Sequence, residues 1–248
     1  MRVDLDVPKS VLAIGAHPDD IEFECGATLA KWAEAGTIVH LLVCTDGRKG
    51  TWDVDADTDA LVARRQVEQR EAARRLGATG EVRFLDQVDG ELDMGPNSGL
   101  ELRGEVARII RELTPTVVLT HDPWRRWRMH PDHRNAGWVG IDAIVAARDP
   151  HYFREHGIPH HRPESLLLFE SEEPNHVEKV GRANLDTKIE ALLAHESQFE
   201  TTMEIDLDTD DGSQRAAFAA RTDGEARDHG RLAGIGLGEA FRLMDPAS

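Results

Sequence analysis

A repeated order of short aliphatic run, polar loop and helical stretch most constrains this chain. Residues 11–14 (Val11, Leu12, Ala13, Ile14) are apolar throughout and end in Gly15-Ala16, as a short strand buried on both faces would. Residues 21–35 carry Ile21, Leu29, Trp32 and Ala33 at helical spacing and stop at Gly36. Residues 37–44 form a second strand centred on Leu41, Leu42 and Val43. Strand, loop, helix and strand fit within about 35 residues, the size of a right-handed βαβ unit. The order then repeats. A helix over 60–76 is closed by Gly77, and strand 82–85 follows. A helix over 100–113 stops before Pro115, and TVVLT (116–120) is a fourth buried strand. A loop over 121–133 leads to a helix over 135–147, a strand over 165–169 and a helix over 185–195. Residues 216–220 and 239–244 read as a helical tail, and the acidic stretch 206–211 as a solvated loop. The pattern predicts an α/β fold with a mainly parallel sheet. No repeat, low-complexity tract or linker interrupts it, so one domain over 1–248 is expected.

Composition excludes several functions. With 29 basic against 46 acidic residues, the net charge of −17 opposes general nucleic-acid binding, which needs a basic face. It equally opposes docking on anionic lipid. No run approaches the roughly 18 apolar residues of a membrane helix. The opening MRVDLDVPKS lacks the basic and apolar regions of a signal peptide. Cys25 and Cys44 sit in apolar surroundings and make no disulfide framework, so a cytoplasmic protein with core thiols is expected.

Ligands of an open parallel sheet bind beyond the carboxyl ends of its strands. Two polar clusters fall there: His17-Pro18-Asp19-Asp20 after the first strand, and His130-Pro131-Asp132-His133 after TVVLT. Together they offer three histidines and three carboxylates. One His-Pro-Asp loop alone is ordinary turn and cap chemistry. Two on the same rim point to a metal site. Imidazole and carboxylate suit Zn²⁺ or Fe²⁺, and two histidines with one carboxylate leave a position open for water. The remaining Asp and His residues can serve as base and acid.

The run VLAIGAHPDDIEFECGATLAKWAEAG, the later HPDHRNAG and DTKIEALLAHESQ resemble the LmbE-like, PIG-L family of metal-dependent de-N-acetylases, over about 11–198. That leaves 199–248 as a C-terminal extension. The resemblance implies a Rossmann-like three-layer sandwich and removal of acetyl from an N-acetylated amino sugar or glycoconjugate. It implies His17, Asp20 and His133 as zinc ligands, and Asp19 as general base. His130 would stabilise the oxyanion or protonate the leaving amine, held charged by Asp132. A small-molecule N-acetylated substrate is the implied partner, and a homo-oligomer the implied assembly.

Further contacts are expected around this centre. Arg65 lies in RQVEQREAARRLG, which is similar to the family helix that sends an arginine to substrate; Arg64 and Arg70 are one-turn alternatives. Trp124 and Trp127 could stack on a sugar, and Arg125 bind an anionic group. Lys188, His195, Ser197 and Gln198 match a C-terminal pattern and read as a brace. Residues 46–50 fit no P-loop spacing and read as a rim loop. Glu24 and Ala27 stand where many relatives carry glycine, and Met129 where some carry a polar residue. The alternatives are an amidase for a larger sugar–thiol or non-sugar amide, and a non-catalytic metal protein with a closed four-ligand site. A nucleotide-binding module would need GxGxxG where this chain has Gly15-Ala16-His17.

Overall fold

The computed structural model describes residues 1–93 and 98–247; the last residue of the expected extension, 248, lies outside them. The strands are β1 (Arg2–Val3), β2 (Ser10–Gly15), β3 (Ile38–Thr45), β4 (Val82–Gln87), β5 (Val117–His121), β6 (Ser165–Phe169), β7 (His176–Lys179) and β8 (Gly238–Met244). They form one eight-stranded sheet in the order β1-β7-β8-β6-β5-β2-β3-β4. Every pairing is parallel except those of β8 with β6 and with β7. The helices are α1 (Asp20–Glu34), α2 (Thr58–Arg75), α3 (Ser98–Leu113), α4 (Pro131–Arg148), α5 (Arg182–Leu192) and α6 (Ser213–Leu232).

Strand alternation divides the core into two layers. Leu12 and Ile14 of β2 pack with Val106 and Ile110 of α3 and Val139 and Ala143 of α4. Val11 and Ala13 point the other way, toward Ile21, Cys25 and Leu29 of α1, Ala72 of α2 and Ala191 of α5. The result is the expected Rossmann-like three-layer sandwich. The fully buried β2 explains why its run is apolar rather than alternating.

Residues 239–244 are the main correction: they are not a helical tail but part of β8, slotted antiparallel between β6 and β7. Six residues cannot settle helix against strand by periodicity, and here the open edges of two strands decide. The slot also places Glu239, whose carboxylate accepts the Ala27 and Thr28 amides and pairs with Lys188 at 2.7 Å.

The topology fixes where a site can form. From β2 the chain winds outward through β3 and β4, then returns to place β5 on the opposite side of β2. The crevice beyond the carboxyl ends of β2 and β5 is the switch point of the sheet.

Candidate metal centre

Both motifs open into that crevice. The first begins α1: Asp19 is its N-cap residue, held in the left-handed region at φ 101°, with no side-chain capping bond. That is costly for a residue with a Cβ and is a mark of functional sites. The second was expected in a loop, yet it starts α4: His130 is the N-cap, and Pro131, Asp132 and His133 form the first turn. Proline suits that position because its missing N–H would have no helical acceptor. Gly137, one turn on, lets α4 lie against the end of β5; a Cβ there would stand 2.6 Å from the His121 carbonyl oxygen.

This packing gathers the donor atoms. His17 Nδ1 lies 3.2 Å from His133 Nε2. Asp20 Oδ2 is 3.3 Å from His17 Nδ1, and Asp20 Oδ1 is 3.4 Å from His133 Nε2. Donors bound at about 2.1 Å to a four-coordinate ion stand about 3.4 Å apart, so the set fits a tetrahedral metal with one side left open. His17 turns its other nitrogen, Nε2, to Asp132 Oδ2 and Asp89 Oδ1, both at 3.2 Å. Burial opposes a charge on this imidazole, yet the Asp132, Asp20 and Asp89 carboxylates raise its pKa well above the ordinary value.

The expected pairing of Asp132 with His130 is therefore replaced. Asp132 orients His17, and it also accepts the Gly90 and Leu92 amides at 2.6 and 3.1 Å. His130 receives the Asp132 backbone N–H at Nδ1. Burial and the nearby His17 lower the His130 pKa, and a ring that accepts the Asp132 amide at Nδ1 carries its N–H on Nε2.

Asp19 is buried beside the donor set, and burial raises its carboxyl to about 6 against the pull of Arg65. Its amide donates to Gln69 Oε1, Gln69 donates to Glu22, and Glu22 faces the buried His195 at 3.5 Å. Ser197 donates to Glu68, and Gln198 to the Gly50 carbonyl. His195 and Ser197 thus brace the site from behind, and Gln198 ties the rim loop at its mouth.

Arg65 is the arginine that reaches the crevice. It donates to the carbonyls of Gly47 and Pro18 at 2.8 and 2.6 Å, with Asp19 Oδ2 at 3.5 Å. A Cβ at position 50 would displace the ends of the Arg65 and Gln198 side chains, so Gly50 leaves room for both in the rim loop. Arg64 instead pairs with Glu68, and Arg70 lies over Phe84. The cleft is about 330 Å³ and is lined by the donor set together with Asp19, Lys49, Gly50, Arg65, Asp89, His130, Gln198 and Thr202. That is the low end of small-molecule sites.

Trp124 and Arg125 do not line this cleft. Trp124 meets Trp138 edge to face at 5.1 Å, and Arg125 pairs with Glu170 at 2.8 Å. Trp127, by contrast, is 91% exposed. The sequence reading also missed side chains behind the centre. His121, taken as the first loop residue, is the last of β5, and its Nε2 lies 3.4 Å from Asp20 Oδ2. Burial lowers its pKa, but Asp20 and Glu170 together raise it to about 9. Glu24 lies close enough to feel Glu170, and burial plus that charge push its carboxyl well above the usual range. Among the described residues, no helix is long and apolar enough to cross a membrane.

Residues 12–144, just over half of the chain, match the family model PIG-L, GlcNAc-PI de-N-acetylase. The chain is 34% identical over 194 residues to diacetylchitobiose deacetylase of Thermococcus kodakarensis, covering 77% of this chain and 70% of that protein. It is 33% identical over 170 residues to 1D-myo-inositol 2-acetamido-2-deoxy-alpha-D-glucopyranoside deacetylase of Kineococcus radiotolerans, covering 58% of this chain but 46% of that one. The solved N,N'-diacetylchitobiose deacetylase of Pyrococcus horikoshii superposes with a TM-score of 0.83 at 27% identity, over 97% of this chain and 85% of the other. The motif-bearing sandwich and these similarities place the chain in the PIG-L family of de-N-acetylases.

Proposed function

We propose that this chain is a zinc-dependent hydrolase that cleaves the acetamide of an N-acetylated amino sugar, giving acetate and the free amine. The observation that carries the reading is the open His17, Asp20 and His133 donor set with the buried Asp19 beside it. The named activities of its relatives support it.

His17 Nδ1, Asp20 and His133 Nε2 would hold the ion, which when bound lowers the pKa of water and polarises a carbonyl. Asp19 takes the proton of the attacking water. Arg65 and the Gln69–Glu22–His195 chain hold it in place. His130, with Nδ1 occupied by the Asp132 amide, directs Nε2–H into the cleft. There it donates to the negative oxygen that develops on the acetamide carbon. Asp19, now protonated, is the proton source for the leaving amine. Asp132 and Asp89 keep His17 in the tautomer that offers Nδ1 to the ion. The buried free thiols of Cys25 and Cys44 suit the reducing cytoplasm in which we place the reaction.

Acetate release from N-acetylglucosamine and from N,N'-diacetylchitobiose, with one equivalent of Zn²⁺, tests the reading. We expect release by the wild type and its loss in Asp19→Asn. Equal release by the two proteins would overturn the assignment of the base; no release from either sugar would overturn the substrate class.

A further inference from the structure

We propose that Glu170 is a positioning residue whose one carboxylate anchors both the ligand side chains of the metal centre and the loop that leads to His130. The inference rests on the reading of His17, Asp20 and His133 as metal ligands.

Glu170 directly follows β6, and its backbone lies in the left-handed region at φ 59°. Glycine would hold that conformation at less cost, yet the position carries a long acid whose side chain is 7% exposed. Its Oε1 accepts from Arg125 Nη1 and forms an ion pair with Arg128 Nη1, each at 2.8 Å. Its Oε2 accepts the His121 Nδ1–H at 2.9 Å and lies 3.8 Å from His133 Nδ1. That last nitrogen is buried and makes no hydrogen bond.

Each contact has a chemical consequence. His133 can offer Nε2 to an ion only with its proton on Nδ1, and an adjacent carboxylate is what fixes that tautomer. His121 Nε2 in turn accepts the Ala16 amide at 3.2 Å, so the same carboxylate also backs the turn that carries His17. The two arginines belong to the segment between β5 and α4, which is further tied by Arg126 to Glu172 and by Arg134 to the Arg128 and Met129 carbonyls. Glu170 thereby fixes the approach to His130 and places its Oε2 3.8 Å from the buried, unbonded Nδ1 of His133 three residues on. Two guanidinium groups supply the countercharge that lets a carboxylate sit there.

The test is Zn²⁺ affinity by chelator competition on the full chain, with melting of the metal-free protein in parallel. It compares wild type with Glu170→Gln, which keeps the size, and Glu170→Asp, which keeps the charge. Positioning by the carboxylate predicts the affinity order wild type, Asp, Gln, with Gln weakened about 10–100-fold. A packing role predicts Gln at least as tight as Asp, and that order overturns the proposal. Unchanged affinity in both variants also overturns it and leaves the deacetylase reading standing. A wild type that binds no Zn²⁺ overturns both. Should Glu170→Gln fail to fold, wild type against Glu170→Asp still decides: Asp as tight as wild type overturns the proposal.

Discussion

The Nδ1 atom of His17, in the loop between β2 and α1, and the Nε2 atom of His133, in the first turn of α4, lie 3.2 Å apart. Two imidazole nitrogens at that distance, with Asp20 alongside, are spaced so that one cation can take the place of a shared proton. Zn²⁺ should therefore stabilise the native state by mass action, about 4 kcal/mol at a thousandfold excess over Kd. In His17→Ala and His133→Ala the melting temperature should no longer respond to Zn²⁺, and acetate release should vanish. Differential scanning calorimetry with and without the ion checks the first expectation.

Asp19 adopts φ 101° and makes no capping bond through its side chain, so the fold bears its conformation for a chemical reason. Asp19→Gly should raise the melting temperature of the metal-free protein, by an amount equivalent to about 1 kcal/mol, while removing activity. A thermal scan beside an acetate assay decides it; a variant both less stable and inactive would show that Asp19 holds the fold.

Arg65 gives its hydrogen bonds to Gly47 and Pro18 carbonyls on two different rim loops. Lysine cannot reproduce that fork. Arg65→Lys should lower kcat about tenfold or more, with a smaller change in KM, because it loosens the loop that carries Asp19. A KM increase at constant kcat would instead mark a direct substrate contact.

The layers of the fold were legible because the centres of β2, β3 and β5 are buried on both faces, so each carries an unbroken apolar run at 11–14, 41–43 and 117–119. The two His-Pro-Asp motifs were legible because each lies in the connection that leaves a strand of the central sheet, β2 or β5, for the helix after it. What supports them was not. His121 closes β5, Asp89 lies in the turn after β4, and Glu170 follows β6; each is a single polar residue beyond a strand, unremarkable until the sheet brings the three ends together. Asp132 illustrates the limit of adjacency: two residues from His130 in sequence, it turns its carboxylate to His17, 115 positions away. Residues 239–244 were misread because only the gap between β6 and β7 makes them a strand.

His40 of β3, remote from the centre, predicts a pH effect on stability. It is buried and accepts the Glu81 amide through Nδ1. Burial lowers its pKa in the folded protein. The unfolded chain then binds the proton more readily. The contribution is fully present above the unfolded value of about 6.5 and is lost as pH falls from there through the lower folded value. Denaturant midpoints between pH 7.5 and 5 should fall less steeply for His40→Gln than for the wild type. Parallel slopes would contradict this role for His40.

In the proposed reaction His17, Asp20 and His133 hold one catalytic ion. The most direct measurement strips the protein with a chelator and returns Zn²⁺ stepwise while following acetate release from N,N'-diacetylchitobiose. The account predicts no release by the stripped protein and recovery that saturates at one equivalent. Release that persists without metal, or that Zn²⁺ at one equivalent fails to restore, would contradict it.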